Sequence, residues 1–300
     1  MSESIGVGAA PVLAPGLYVV ATPIGNLGDI SPRAVGVLRA ASQIAAEDSR
    51  HTRKLLSHLG IRASVTVYND HSVPAVRTAL LERVLAGAAI ALVSDAGTPL
   101  IADPGYRLVR EAHALGIAVV PVPGPSALIG ALSVSGQPTD QFCFEGFLPA
   151  KPAARAARLQ RLAREPRTLI FFEAPHRLAA SLTAMAEAFG ADRSATVSRE
   201  LTKRHERVWQ APLGELAQAY AVGDDLAKGE IVLVVDGAPS GGQAADDVEA
   251  LRVLQACMQE LPLARAARLA HRLTGVDRKR LYQWGLEQGP CAVESAEWNH

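Results

Sequence analysis

Asp95 stands at the end of an uncharged run, Ile90–Ser94, and at the head of a dense turn cluster, Gly97, Thr98-Pro99 and Asp103-Pro104-Gly105. A short apolar run bounded by turn residues reads as a buried strand of a parallel sheet. The loop leaving the carboxyl end of such a strand is where open α/β sheets bind ligands. Gly97 and Gly105 let the backbone approach a small molecule, and Pro99 and Pro104 stiffen the loop. Three loops of similar character follow other strand-like runs: Thr22–Asp29, Glu47–His51 and Pro123–Ser126. A fifth, Glu173-Ala174-Pro175-His176-Arg177, follows the run Thr168–Phe172.

These loops are poor in nucleophiles. There is no Gly-x-Ser-x-Gly elbow, no Walker-type phosphate loop and no ladder of His or Cys. Gly25 and Gly28 lack the Gly-x-Gly spacing of a dinucleotide site, which counts against hydride transfer. A pocket walled by main chain remains, suited to a small cofactor with an adenine, a ribose and few negative charges. The titratable residues on the loop edge are Glu47, Asp48, Asp95, Glu173, His176, Glu200 and Lys203. Each has a structural alternative: Asp95 as a turn or cofactor anchor, Glu47-Asp48 with Arg50 as an ion network, His176 as a helix cap. Cys143, Cys257 and Cys291 are far apart and odd in number, so neither a metal site nor a disulfide framework is expected, and a reducing cytoplasm is.

The elements that must position these loops alternate. Strands are expected at 17–21, 43–46, 64–68, 90–94 and 117–122, with helices between them and a last helix over 126–132. That alternation predicts a parallel sheet with helices on both faces. The uncharged stretch 114–136 is long enough to raise a membrane question, but its Gly and Pro residues break it into strand, turn and helix. After Gly136 a second α/β domain is expected, with strands at 142–147, 168–172, 194–199 and 230–235. A Gly-, Ala- and Asp-rich linker follows. Pro262 then opens a helix through Arg272, Thr274-Gly275 ends it, and Asp277 caps a second over 278–286, a helix-turn-helix pattern. The expected divisions are a loose arm (1–15), two α/β domains (16–136 and 137–237), a linker (238–247), a helix-turn-helix (248–288) and a tail (289–300).

Formal net charge is zero, so the whole molecule makes no case for a polyanion partner. Residues 151–207, however, hold 12 basic against 6 acidic side chains. Local stripes of this kind are what phosphate backbones respond to. Arg155, Arg158 and Arg161, three apart on one expected helix, open the block; arginines 265, 268, 272, 278 and 280 and Lys279 mark the C-terminal helices.

Five segments occur in one order: Ala21-Thr-Pro-Ile-Gly-Asn-Leu27, Ala46-Glu-Asp-Ser-Arg50, Ser94 to Gly105, Pro123-Gly-Pro-Ser-Ala127 and Glu173-Ala-Pro-His-Arg177. Together they resemble the ribosomal RNA small subunit methyltransferase I family, within the tetrapyrrole-methylase superfamily of S-adenosylmethionine enzymes. Ser49 departs from the pattern, standing where Thr is expected, and keeps the hydroxyl. The resemblance implies two α/β domains of the tetrapyrrole-methylase type with the cofactor cleft between them, plus a small C-terminal helix-turn-helix. It implies 2′-O-methylation of a cytidine ribose in the decoding region of 16S ribosomal RNA, S-adenosylmethionine as cofactor, no metal, and a homodimer acting on an assembled 30S particle away from any membrane. By position, the cofactor should touch Pro23, Asp95, Ala96, Gly97, Thr98, Pro99, Pro125, Ser126, Ala127, Phe172, Glu173, Gly229, Glu230 and Ile231. Asp48 and Arg50 are placed near the acceptor, with Glu173 and Lys203 opposite as further catalytic candidates. Arg155, Arg158, Arg161, Arg164, His176, Arg177, Arg199, Lys203, Arg204 and Arg207 are expected to form the RNA face. Two other readings stay open: a tetrapyrrole C-methyltransferase, and a ligand-sensing DNA-binding regulator without catalysis.

Overall fold

The computed structural model describes residues 12–69, 73–222, 229–239 and 243–287. The chain folds as two compact units, Met1–Asp236 and Gly237–His300. Most of the expected arm and the whole of the expected tail lie outside the described residues.

Among its described residues the first unit holds two five-stranded sheets. In the first, β1 (Gly16–Val20), β2 (Gln43–Ala46), β3 (Val65–Val67), β4 (Ala89–Val93) and β5 (Val119–Val122) lie in the order β3-β2-β4-β1-β5, all parallel. All five residues of β4 are buried, as a central strand covered on both faces requires. Helices α1 (Pro32–Ala40) and α2 (Ser49–His58) supply Val37, Leu38 and Leu56 to the core on one face. Helices α3 (Pro74–Leu85) and α4 (Tyr106–Ala114) supply Leu80, Leu81, Val84 and Leu108 to the other. Full burial of an apolar side chain of this size is worth about 1.5–3 kcal/mol. Ser31 caps α1, its Oγ accepting from the Ala34 N–H at 3.1 Å, and Pro32 supplies the preset φ of the first turn. Adjacent strands β1 and β4 send their helices, α1 and α4, to opposite faces, so their loops part and leave a crevice at the carboxyl edge.

The second sheet runs β6 (Phe142–Phe147), β7 (Thr168–Glu173), β10 (Ile231–Val235), β8 (Ser194–Arg199) and β9 (Arg207–Pro212), with only β6 and β7 parallel. Helices α6 (Pro152–Leu162), α7 (Leu178–Phe189) and α8 (Leu213–Val222) cover one face. Helix α5 (Ala127–Val134), which leaves β5 of the first sheet, packs Leu128, Ala131 and Leu132 on the other face against Ile170, Val232 and Val234. One helix thus fastens the two sheets together.

Residues 207–212 carry no strand signal in the sequence yet form β9. An edge strand buries little, and here Trp209 and Ala211 alone turn inward, Trp209 against Tyr220 at 5.8 Å. Among its described residues the second unit contains three helices where two were expected: α9 (Gln243–Glu260), α10 (Leu263–Thr274) and α11 (Arg278–Glu287). Helix α9 begins inside the stretch read as a linker, so 238–247 is not linker throughout. Gly275 closes α10 in the left-handed conformation (φ 75°), and Asp277 accepts from the Lys279 and Arg280 N–H groups. Among the described residues no helix is long and apolar enough to cross a membrane.

Candidate active site

A cleft of about 340 Å³ opens where the carboxyl edge of the first sheet meets β7, β8 and β10 of the second. The loops after β1 and β4 are tied by paired backbone hydrogen bonds, Thr22 N–H to Gly97 O at 2.9 Å and Gly97 N–H to Thr22 O at 3.0 Å. Gly97 takes φ 79°, and a Cβ there would press the Ile24 side chain at 3.2 Å. The Thr98 hydroxyl donates to the Pro125 carbonyl at 3.0 Å and ties in the loop after β5. The wall from the first sheet is therefore mostly main chain fixed by main chain.

Asp95, Ala96, Gly97, Thr98, Ser126 and Ala127 line this side of the cleft, and Phe172, Glu173, Gly229, Glu230 and Ile231 line the other. Pro23, Pro99 and Pro125 shape the turns but stand outside the lining. Reading from sequence missed Ile24, Ile101, Asp103, Phe147, Ser198 and Leu201. Ile101 and Asp103 belong to the recognised loop and its length was their signal; Ser198 and Leu201 had none. Asp103 is half-buried. Burial raises its carboxyl above the usual range, a Ser94 hydrogen bond works against this, and the charge of Asp95 adds to it.

At the mouth, Asp48 caps α2 and grips Arg50. Its carboxylate accepts from the Arg50 N–H at 2.7 Å and from Arg50 Nη2 at 2.6 Å. Those bonds hold the Asp48 carboxyl well below the usual carboxylate range, which makes it a weak base. The Asp48 N–H donates to Asp95 Oδ1 at 3.0 Å, and His51 Nδ1 lies 3.4 Å from Asp95 Oδ2. Among the described residues, Asp48, His51 and Asp95 are the group compact enough to hold a cation, and caps and ion pairs within the group account for that compactness.

Glu173 is not poised as a reactant. Its side chain is 0% exposed; Oε2 accepts from the Ser181 hydroxyl at 2.5 Å, Oε1 from the Ala174 N–H at 2.7 Å, and Arg177 Nε lies 3.3 Å away. It locks the turn that forms one cleft wall. Lys203 is likewise engaged, its Nζ 2.8 Å from Glu200 Oε1 and 2.9 Å from Glu230 Oε2.

Residues 16–217 match the family described as Tetrapyrrole (Corrin/Porphyrin) Methylases, and residues 244–289 match the RsmI C-terminal HTH domain. The Pseudomonas aeruginosa protein named ribosomal RNA small subunit methyltransferase I is 52% identical over 274 residues, covering 91% of this chain and 97% of that protein. Its namesake in Escherichia coli O157:H7 is 50% identical over 274 residues, covering 91% and 95%. The chain belongs to the ribosomal RNA small subunit methyltransferase I family. Solved structures share the fold at low identity. The methyltransferase CobJ aligns with TM-score 0.55 at 19% identity over 74% of this chain and 94% of its own. Diphthine synthase aligns with TM-score 0.54 at 16% identity, over 73% and 89%.

In this member of the methyltransferase I family the residues of the predicted RNA face differ in exposure. Arg155 is only 8% exposed, because it shares the inward stripe of α6 with Leu159 and Leu162, four and seven residues on. Arg158 pairs with Glu145, Arg177 donates to the Leu148 carbonyl, and Arg199 is half-buried. Arg161, Arg164, His176, Arg204 and Arg207 are exposed, Arg207 with its guanidinium 5.0 Å from the Trp209 ring centroid.

Proposed function

We propose that this chain transfers a methyl group from S-adenosylmethionine to the 2′-hydroxyl of a cytidine ribose in the decoding region of 16S ribosomal RNA. It does so as a homodimer acting on the assembled small subunit, without a metal. About half identity to proteins named ribosomal RNA small subunit methyltransferase I, across both folded units, carries the reading. The cleft fits the cofactor. Its volume is within the range of small-molecule sites, and its walls combine apolar side chains with exposed main chain. Ser198 Oγ is buried there with no hydrogen-bond partner, a polar atom of the kind a ligand satisfies. A structural neighbour, uroporphyrin-III C-methyltransferase from Thermus thermophilus, was solved as a complex with S-adenosyl homocysteine.

When bound, S-adenosylmethionine supplies an electrophilic methyl group for in-line passage to oxygen, the sulfur keeping the electrons of the broken bond. The protein's work is placement. Ala96–Thr98 and Phe172–Glu173 fix the two walls, and Phe147, Ile101 and Leu201 add apolar surface to them. Asp95 and Asp103 present negative charge to a cationic ligand. A ribose hydroxyl is a weak nucleophile and must lose its proton. Asp48 and Glu173 are engaged elsewhere, and the Asp95–His51 pair at the mouth, with His51 Nδ1 3.4 Å from Asp95 Oδ2, is the acceptor we assign.

The test is transfer of label from S-adenosylmethionine to small subunits that lack the modification, with the site mapped by resistance of the ribose linkage to alkaline cleavage. Label at one cytidine of the decoding region is expected. No transfer to subunits proven competent for another methylase overturns the reading, as does label in uroporphyrinogen in place of RNA.

A further inference from the structure

We propose that Lys203 is a positioning residue: a strap that ties the two walls of the cleft together and sets how fast the methyl donor leaves. The inference rests on the reading of the cleft as the S-adenosylmethionine site. Lys203 was expected to serve chemistry or RNA, and its surroundings argue for neither. Its ammonium is held on the second sheet's side by Glu200 and Glu230. Its aliphatic stem lies on Gly25, in the loop after β1 of the first sheet. A Cβ on Gly25 would overlap the Lys203 Cγ and meet Cε at 2.9 Å and Cδ at 3.1 Å. One side chain therefore spans from the loop that supplies Ile24 to the segments that supply Leu201, Gly229 and Glu230, all cleft-lining residues.

The anchor is built with care on the far side. Glu200 Oε1 also accepts from the Glu230 N–H at 2.9 Å, and the Glu200 N–H donates to the Glu230 carbonyl at 2.9 Å. Glu200 lies against Gly229, where a Cβ would overlap its carboxylate, and Gly229 takes φ 85°. Glu200 and Thr202 adopt positive φ, 52° and 64°, a conformation disfavoured for residues with a Cβ. Burial works against its charge, but the two carboxylates raise its pKa above the ordinary lysine value, so the strap stays charged. A side chain at position 25 would have to displace the lysine stem that lies there.

The test compares the full-length protein with Gly25→Ala, Lys203→Ala and the double variant. The readouts are the dissociation rate constant of S-adenosylmethionine, KM against kcat at saturating RNA, and Tm. Each single substitution is expected to speed dissociation roughly tenfold and to raise KM for the cofactor while kcat at saturation holds. The double variant is expected to be no worse than the poorer single, because both remove the same contact. The Ala side chain at 203 leaves room for the added methyl at 25, so the double variant also serves where Gly25→Ala alone folds poorly. Unchanged dissociation in Lys203→Ala, or effects that multiply in the double variant, overturn the strap and leave the cofactor reading standing. Loss of kcat with unchanged dissociation would make Lys203 a reactant and also overturns it. Failure of the unsubstituted protein to bind S-adenosylmethionine overturns both.

Discussion

Among single residues, partners separate the reactive from the structural. Asp48 and Glu173 have the chemistry of bases, but Asp48 caps α2 and binds Arg50, and Glu173 is sealed among Ser181, Ala174 and Arg177. Asp103, which the sequence did not single out, stands in the cleft with a raised pKa. A carboxyl whose folded-state pKa exceeds its unfolded value weakens the fold while ionised. The burden is present above the folded pKa and disappears as pH falls toward the unfolded value near about 4. Asp103→Asn is therefore expected to raise Tm at pH 7, the gain fading below about pH 4, while cofactor affinity falls. Thermal unfolding across that range, paired with calorimetric titration of S-adenosylmethionine, checks both. A gain over the unsubstituted protein no larger at pH 7 than at pH 4 refutes the sign.

At the level of elements, α6 shows how spacing misleads. Residues 155, 158 and 161 are three apart, but a helix turns 3.6 residues per turn, so each step rotates the row about 60° around the axis. Arg155 falls inside, Arg158 at the boundary beside Glu145, and Arg161 outside. The Arg155 Nε is buried without a hydrogen-bond acceptor. Replacing a buried, poorly compensated charge by an apolar side chain of similar length is often stabilising. Arg155→Met is expected to raise unfolding stability by about 1 kcal/mol in urea titration, with RNA affinity unchanged. Loss of RNA binding at constant stability would return Arg155 to the RNA face.

Over the whole molecule, zero net charge conceals an uneven distribution. The exposed part of the basic block is smaller than its composition implies, since Arg155, Arg158, Arg177 and Lys203 are buried or paired. Arg161, Arg164, Arg204 and Arg207 remain on the surface. If these meet phosphates, each contributes to the salt dependence of RNA binding by about 0.7–0.9 in the slope of log K against log salt. Arg161→Ala with Arg164→Ala is expected to flatten that slope by roughly 1.5, measured by filter binding from low to physiological salt. An unchanged slope would move the RNA to another face.

The sequence by itself determined the strand-and-loop order of the first sheet, the bounds of β6 and β8, and the recognisable loops of the cleft. Those signals are local: an apolar run long enough for a strand, then Gly and Pro where the chain must turn. It also carried the family, through five segments in one order. Only the tertiary structure decided that β9 completes the second sheet, that Glu173 is a lock, that Arg155 points inward, and that Asp103 and Ser198 face the cleft. It alone set Lys203 on Gly25, 178 positions away in the chain. Such roles depend on which distant residues become neighbours, and the periodicity of a segment records only which of its own faces is apolar.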